Sequence, residues 1–365
     1  MVKKTVIFIV GLFLSTSFAC ADTVYLKSGK TVEGRITEKA DDHIKINFQG
    51  VELTYYNDEI SRISPRDTVT AKETLSPQSY VPHRQQITAS KIPSQGKKSF
   101  LWKVASGNST VYLLGSVHIA KKELYPLPKN IEAAFRSADT LVVEVNINDT
   151  DALLSTQQLT LQASMYAQPD TLEKHLSAKT HELARTKLGE LGLDISQFGM
   201  FKPWFVAMTI MGLEMKRLGF DPEWGVDIYF LRQAAGKKIV ELENADFQIK
   251  LLSGLSDSQQ NLFLFYTIID LNNLEKGLDA LLQAWSLGDI AAMEELTFRG
   301  LAEHPEMLPI YEKLLYERNI TMASKIEGFL KEGGTRFVVI GSGHLLGSKG
   351  ILKLLERKGY IAEQL

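Results

Sequence analysis

A single cysteine, Cys20, is present among the 365 residues, and it lies close to the amino terminus. Beyond it the chain can make no disulfide and can offer no cysteine-ligated metal centre. An excess of charge is missing too. The 41 basic side chains are matched by 43 acidic ones, for a net charge of -2, so there is no global electrostatic footprint for nucleic acid. The apolar run from Thr5 to Leu14 falls short of the roughly 20 residues that a membrane span needs. A G-x-S-x-G elbow is absent, so serine catalysis has no local signature even though Ser116 and Ser342 stand near histidines. What is present is ordinary for a globular protein: 44% hydrophobic and 23% charged residues, enough to build a large core. The length predicts one large domain with a smaller companion, or two domains.

At the amino terminus Lys3 and Lys4 precede the apolar run, and small residues lead to Ala19-Cys20-Ala21. This order of positive, apolar and small residues predicts a secretory signal over residues 1–21, cleaved after Ala21. The mature chain is then cysteine-free and periplasmic or secreted. A competing reading makes Cys20 a lipidated first residue; Ser17, where such sites usually carry leucine, argues against it.

Residues 22–63 alternate with a period near two, as in Thr31-Val32-Glu33-Gly34-Arg35-Ile36 and His43-Ile44-Lys45-Ile46-Asn47-Phe48. Turn chemistry at Ser28-Gly29, Asp41-Asp42 and Gln49-Gly50 separates the runs, which predicts four or five short strands in a small all-β, barrel-like module. Its opening, Leu26-Lys27-Ser28-Gly29-Lys30, resembles small Sm-like barrels. A packing or docking accessory is expected, with an envelope protein as its partner. Residues 64–98, rich in Ser, Thr, Pro, Gln and Lys without apolar periodicity, read as a linker.

The second domain is expected over residues 99–365, as an α/β fold with a central, mostly parallel sheet and a large helical insertion. Its strands are the apolar runs Val111–Leu114, Thr140–Val145, Lys237–Glu243 and Arg336–Ile340, with helical patterns between them. The methionines Met208, Met211 and Met215 on the segment after Lys202-Pro203-Trp204 are expected to pack into the core.

Two of these strands end alike. Val111-Tyr112-Leu113-Leu114 runs into Gly115-Ser116-Val117-His118, and Phe337-Val338-Val339-Ile340 runs into Gly341-Ser342-Gly343-His344. Ligands of open α/β sheets gather outside the carboxyl ends of the strands. His118, Glu144, Glu243 and His344 are the candidates there. Two imidazoles with one or two carboxylates suit a divalent transition metal that activates water. A carboxylate ending an apolar strand, such as Glu144, needs a partner if buried. Arg318 is open to three readings: it orients a substrate carboxylate, it orients Glu144 through paired hydrogen bonds, or it lies on a solvated helix face. For Glu241 and Glu243 an exposed strand end and a site position remain open.

The ordered set of Gly115-Ser116-Val117-His118, Val143-Glu144, Arg318-Asn319 and Gly341-Ser342-Gly343-His344-Leu345-Leu346-Gly347 resembles the TraB/GumN family, related to the Tiki metalloproteases. The resemblance runs from about Ser99 to the carboxyl terminus. It implies a metal-dependent hydrolase acting on a peptide or protein, with His118, Glu144 and His344 as metal ligands and with Glu144 and Arg318 catalytic. Related folds also include haem-binding ChaN-like and erythromycin-esterase-like proteins, which leaves a non-catalytic haem or small-ligand protein of the cell envelope as the alternative.

Overall fold

The computed structural model describes residues 22–27, 31–48, 51–64, 98–146 and 150–365. The expected signal (1–21) and nearly all of the expected linker (65–97) lie outside the described residues. The chain divides into two compact units, Met1–Lys91 and Ile92–Leu365.

The first unit is a five-stranded sheet of β1 (Asp22–Leu26), β2 (Thr31–Lys39), β3 (His43–Phe48), β4 (Val51–Tyr56) and β5 (Ile60–Ser64), in the order β4-β3-β2-β1-β5. All its pairings are antiparallel, and alternation turns Val24, Ile44 and Ile46 inward. Barrel closure, expected from the sequence, is not found. Among the described residues the edge strands β4 and β5 do not pair, so the sheet stays open. Register breaks at Tyr25/Leu26 and Ile36/Glu38 bend it without joining its edges.

The second unit is built on a six-stranded sheet of β6 (Leu101–Ser106), β7 (Ser109–Ser116), β8 (Thr140–Val143), β9 (Lys238–Glu241), β10 (Gly334–Gly341) and β11 (Ala362–Gln364), in the order β11-β6-β7-β10-β8-β9. The four strands β7, β10, β8 and β9 run parallel, whereas β6 joins β7 through a hairpin and β11 lies antiparallel to β6. Strands buried on both faces carry continuous apolar runs rather than alternation. Accordingly Leu113, Leu114, Leu141, Val142 and Phe337–Ile340 are all buried. The last long strand is therefore central. Its Gly341 pairs in register with Ser116, and its Val339 with Val143, so β7, β8 and β10 end on one edge.

Helices fill the long connections. Those over Ala178–Glu190, Pro203–Arg217 and Asp257–Asp270 enclose an apolar cluster that includes Leu188, Val206, Ala207, Ile210 and Leu264. Ser177 caps the first by accepting from the Thr180 amide, and Ser256 with Gln259 forms a capping box on the third. The core face of Pro203–Arg217 is Trp204, Val206, Ala207 and Ile210; Met208 is exposed, because a helix apolar all round does not announce which side its neighbours cover. Its Glu214 is buried between Lys187 and Arg217. Among the described residues no helix is long and apolar enough to cross a membrane.

Candidate functional site

Each strand end on the shared edge delivers one polar side chain. Glu144 follows β8 and is buried. Its Oε1 accepts from the Gly341 amide at 2.7 Å, and its Oε2 accepts from Arg318 Nη2 at 2.6 Å and from Gln248 Nε2 at 3.2 Å. The two histidines flank it. His118 Nε2 stands 3.7 Å from Oε1, and His344 Nε2 stands 3.9 Å from Oε2. The sequence pattern that predicted convergence at this edge thus brings His118, Glu144 and His344 together, with Arg318 against the carboxylate.

Each imidazole is held from behind. His344 is buried, and its Nδ1 lies 2.6 Å from Asn319 Oδ1; Asn319 Nδ2 in turn donates to the Lys349 carbonyl, which fixes the amide and assigns the proton to Nδ1. His118 Nδ1 lies 3.3 Å from Asp227 Oδ1, and Asp227 also accepts from Ser116 Oγ. Ser342 Oγ donates to the Ser116 carbonyl. Both serines therefore fasten strand ends, and neither is placed as a nucleophile. The His118 loop is further pinned where Val226 N donates to the Val117 carbonyl and Trp285 Nε1 to the Gly115 carbonyl. At Gly225 a Cβ would collide with the His118 carbonyl oxygen. At 341 a Cβ would stand 2.8 Å from His118 Nε2 and 3.3 Å from Glu144 Oε1, so a larger residue there would displace the His118 ring from the carboxylate.

Arg318 lies on the helix Glu317–Glu332, just past a π-turn over Glu312–Tyr316. Its Nη2 bridges Glu144 and Glu243 at 2.6 and 2.7 Å, its Nε reaches both Glu243 oxygens, and its Nη1 donates to the Leu314 carbonyl. Every nitrogen of the guanidinium is engaged within the chain. In this arrangement Arg318 orients Glu144. Glu243 is buried with Arg318 and Gln248 as its partners, so it belongs to the site, while Glu241 is exposed and accepts from the Asn146 amide.

Burial alone would raise the pKa of Glu144. The facing imidazoles, the Arg318 guanidinium and the Gly341 amide outweigh it and bring the carboxyl down to about 2. Burial likewise lowers His344, to about 4, so at neutral pH its ring is uncharged. Its Nε2 then presents a lone pair to a carboxylate oxygen, two acceptors facing one another. His118 is 53% exposed at its side chain. Desolvation lowers its pKa, but the Asp227 contact and the Glu144 charge prevail and raise it to about 9. At neutral pH a protonated His118 and the Arg318 guanidinium both face the Glu144 carboxylate.

A metal fits the chemistry of these donors better than their present spacing. Among the described residues no three His, Cys, Asp or Glu side chains are gathered closely enough to hold an ion. Two inward Nε2 atoms with anchored Nδ1 atoms are nonetheless the arrangement of metal-ligating histidines, and a metal would replace the His118 proton. His118 Nε2, His344 Nε2 and Glu144 Oε1 are the atoms that would hold it.

Asp227 and Gln248 carried no signal in the sequence, and Glu243 carried an ambiguous one. The remaining described histidines lie elsewhere. His175 stacks on Tyr166 and sits between Asp170 and Asp257 at 2.7 and 2.8 Å.

Comparison with known proteins agrees with this arrangement at the level of the family. The model of the TraB/PrgY/gumN family matches residues 100–364. An uncharacterized protein of Escherichia coli K12, YbaP, is 26% identical over 252 residues, which cover 68% of this chain and 89% of that protein. Metalloprotease TIKI1 of Danio rerio is 23% identical over 320 residues, 74% of this chain and 64% of the relative. Metalloprotease TIKI2 of Xenopus tropicalis is 23% identical over 314 residues, 73% and 59% respectively. No solved structure matches the chain.

Proposed function

The chain belongs to the TraB/PrgY/gumN family, and on that premise we propose that it is a metal-dependent hydrolase acting on peptides. The observation that carries the reading is the pair of histidine Nε2 atoms directed at one ionised carboxylate, 3.7 and 3.9 Å away, with each Nδ1 anchored from behind. Relatives named metalloproteases support it.

His118, His344 and Glu144 would hold the ion. When bound, a divalent metal supplies Lewis acidity, polarising an amide carbonyl and acidifying water. The chain's own residues do the rest. Asp227 and Asn319 keep both rings in the tautomer that leaves Nε2 free to ligate. Arg318, itself locked by Glu243 and the Leu314 carbonyl, fixes the Glu144 rotamer and favours its charged form. Two roles are open to Glu144, ligand and general base. The half-exposed face of His118 is where a substrate can approach the cluster.

The same reading places the mature chain in the periplasm or outside the cell, starting after Ala21, with the small sheet as the docking module for an envelope protein. The test is metal analysis of the purified protein and digestion of a peptide library with and without chelator. The expected result is a stoichiometric divalent metal and chelator-sensitive cleavage, both lost in His118→Ala and His344→Ala while circular dichroism is unchanged. Undiminished cleavage in both variants would sink the assignment, and a haem absorbance band without cleavage would make the protein a binding protein instead.

A further inference from the structure

Two residues beyond the glycine that touches the histidine cluster, the same loop touches a second feature. A Cβ placed on Gly343 would stand 3.3 Å from Thr297 Cγ2 and 3.7 Å from Leu315 Cδ1. Both of those residues line a cavity of about 430 Å³ whose walls include Phe263, Leu271, Leu274 and Met307. That volume is in the range of small-ligand sites, roughly 300 to 1,000 Å³. The backbone segment Gly341 to His344, which carries His344 into the candidate metal cluster, therefore lies against two residues of the cavity wall. A second link runs along the helix that carries Arg318. Leu314 lines the cavity, and its carbonyl accepts from Arg318 Nη1 at 2.8 Å, which ties the π-turn to the residue that positions Glu144.

The polar atoms around this cavity are turned away from it. Tyr266 Oη donates to Glu306, Tyr311 Oη lies 3.4 Å from the Thr297 carbonyl, and Thr297 Oγ1 donates back to the Met293 carbonyl, leaving its methyl toward Gly343. The one formal charge in the lining, Asp270, is exposed to solvent at the end of its helix. A lining that is mostly aliphatic and aromatic, with the hydroxyls of Tyr266, Thr297 and Tyr311 already engaged, offers an occupant surface and shape but few hydrogen bonds, which selects for apolar groups.

We infer that this cavity is the specificity pocket of the site and receives a bulky apolar side chain, leucine or phenylalanine in kind, from the residue flanking the bond that is cleaved. The inference rests on the peptide-hydrolase reading above for its role and on the cavity alone for its ligand. Burying such a side chain releases apolar surface from water in proportion to the area covered, and a pocket of this type discriminates between substrates by size.

The experiment separates binding from turnover. Methionine methyl groups labelled with carbon-13 report from Met211 and Met307, both in the lining. Titration of the full chain with N-acetyl-phenylalaninamide and N-acetyl-leucinamide is expected to shift these two resonances and leave the exposed Met208 unmoved. Thr267→Trp, which fills the cavity from its wall, is expected to abolish the shifts. Leu274→Phe serves as the second filling variant should Thr267→Trp melt early. In a peptide-library digest the filled variants are expected to lose about tenfold or more in kcat/KM for substrates with leucine or phenylalanine beside the scissile bond, and to lose less for substrates with alanine there. Absence of methyl shifts, or an unchanged cleavage profile in filled variants, would overturn the assignment. Methyl shifts in a chain that cleaves no peptide would retain the cavity as an apolar side-chain site and discard the hydrolase reading.

Discussion

Replacing Arg318 by methionine, close in length and without charge, tests the electrostatic argument most directly. Arg318 is the cation shared by two buried carboxylates. The Glu144 side chain is 10% exposed and that of Glu243 is 3% exposed, so neither can recruit much water when the guanidinium leaves. Removing one partner of a buried ion pair typically costs about 3–5 kcal/mol, because the remaining charge stays desolvated. Here two charges remain, both formerly within 2.7 Å of one guanidinium nitrogen, and they share Gln248 as a neutral donor. Arg318→Met is therefore expected to lose about 3–5 kcal/mol in urea unfolding at pH 7 of chelator-dialysed protein. Glu243→Gln, which leaves Arg318 its bond to Glu144, is expected to lose about 1–2 kcal/mol. The decisive quantity is the cycle. In the double variant only Glu144 is an uncompensated charge, so the combined loss should fall short of the sum of the singles by about 1–3 kcal/mol. Equal m-values across the set would show that the midpoint shifts report stability. Additivity within about 0.5 kcal/mol would refute the claim that one guanidinium serves both carboxylates.

Two further expectations concern the histidines. Asp227→Asn keeps the shape of the group behind His118 but removes its charge, and is expected to weaken metal affinity about 10–100-fold with little change in unfolding midpoint, measured by competition with a chromogenic chelator; unaltered affinity would show that Asp227 does not support the ring. At His175 desolvation lowers the pKa, but the Asp170 and Asp257 contacts outweigh it and raise it, so its contribution is complete below its unfolded value near 6.5 and is lost as pH rises through the folded value. The Asp170 hydrogen bond to His175 leads the causes that lower that carboxyl, so its share is present above about 4 and is lost as pH falls. His175→Gln should therefore cost about 1 kcal/mol near pH 5.5, the exposure of Asp257 keeping the figure small, and less at pH 9; a pH-independent loss would refute the ion-pair account.

The parts of this fold that were legible in the sequence are those with a local cause. Apolar runs such as Phe337–Ile340 and Leu141–Val143 announce strands buried on both faces, and His118, Glu144 and His344 stand where such runs break, so burial and site position coincide. Glu243 was ambiguous because β9 ends at Glu241, and past the end of a strand alternation no longer says which way a side chain turns. Asp227 and Gln248 were invisible for a different reason: each is one polar residue on a short helix, indistinguishable in sequence from a solvated face until its neighbours are placed. Strand β11 has three residues, too few for a pattern, and whether the small sheet closes depends on pairing between its first and last edges, which no local signal encodes.

The strand order also decides when the site can exist. β10 is hydrogen-bonded to β7 on one side and β8 on the other, and adjacent strands lie about 4.8 Å apart. His118 and Glu144 therefore hang from strands separated by roughly 10 Å, the width of one intervening strand. That strand brings His344 with it and also the Gly341 amide that binds Glu144 Oε1. Gly341 has no Cβ to intrude on the space it spans. Without β10 Glu144 would lack one donor; with it, the Gly341 amide holds the carboxylate beside His118. Assembly of the cluster is thus coupled to the longest-range pairing in the parallel part of the sheet, between residues 109–116 and 334–341, and a ligand that requires all three side chains would stabilise the domain only in its fully paired form.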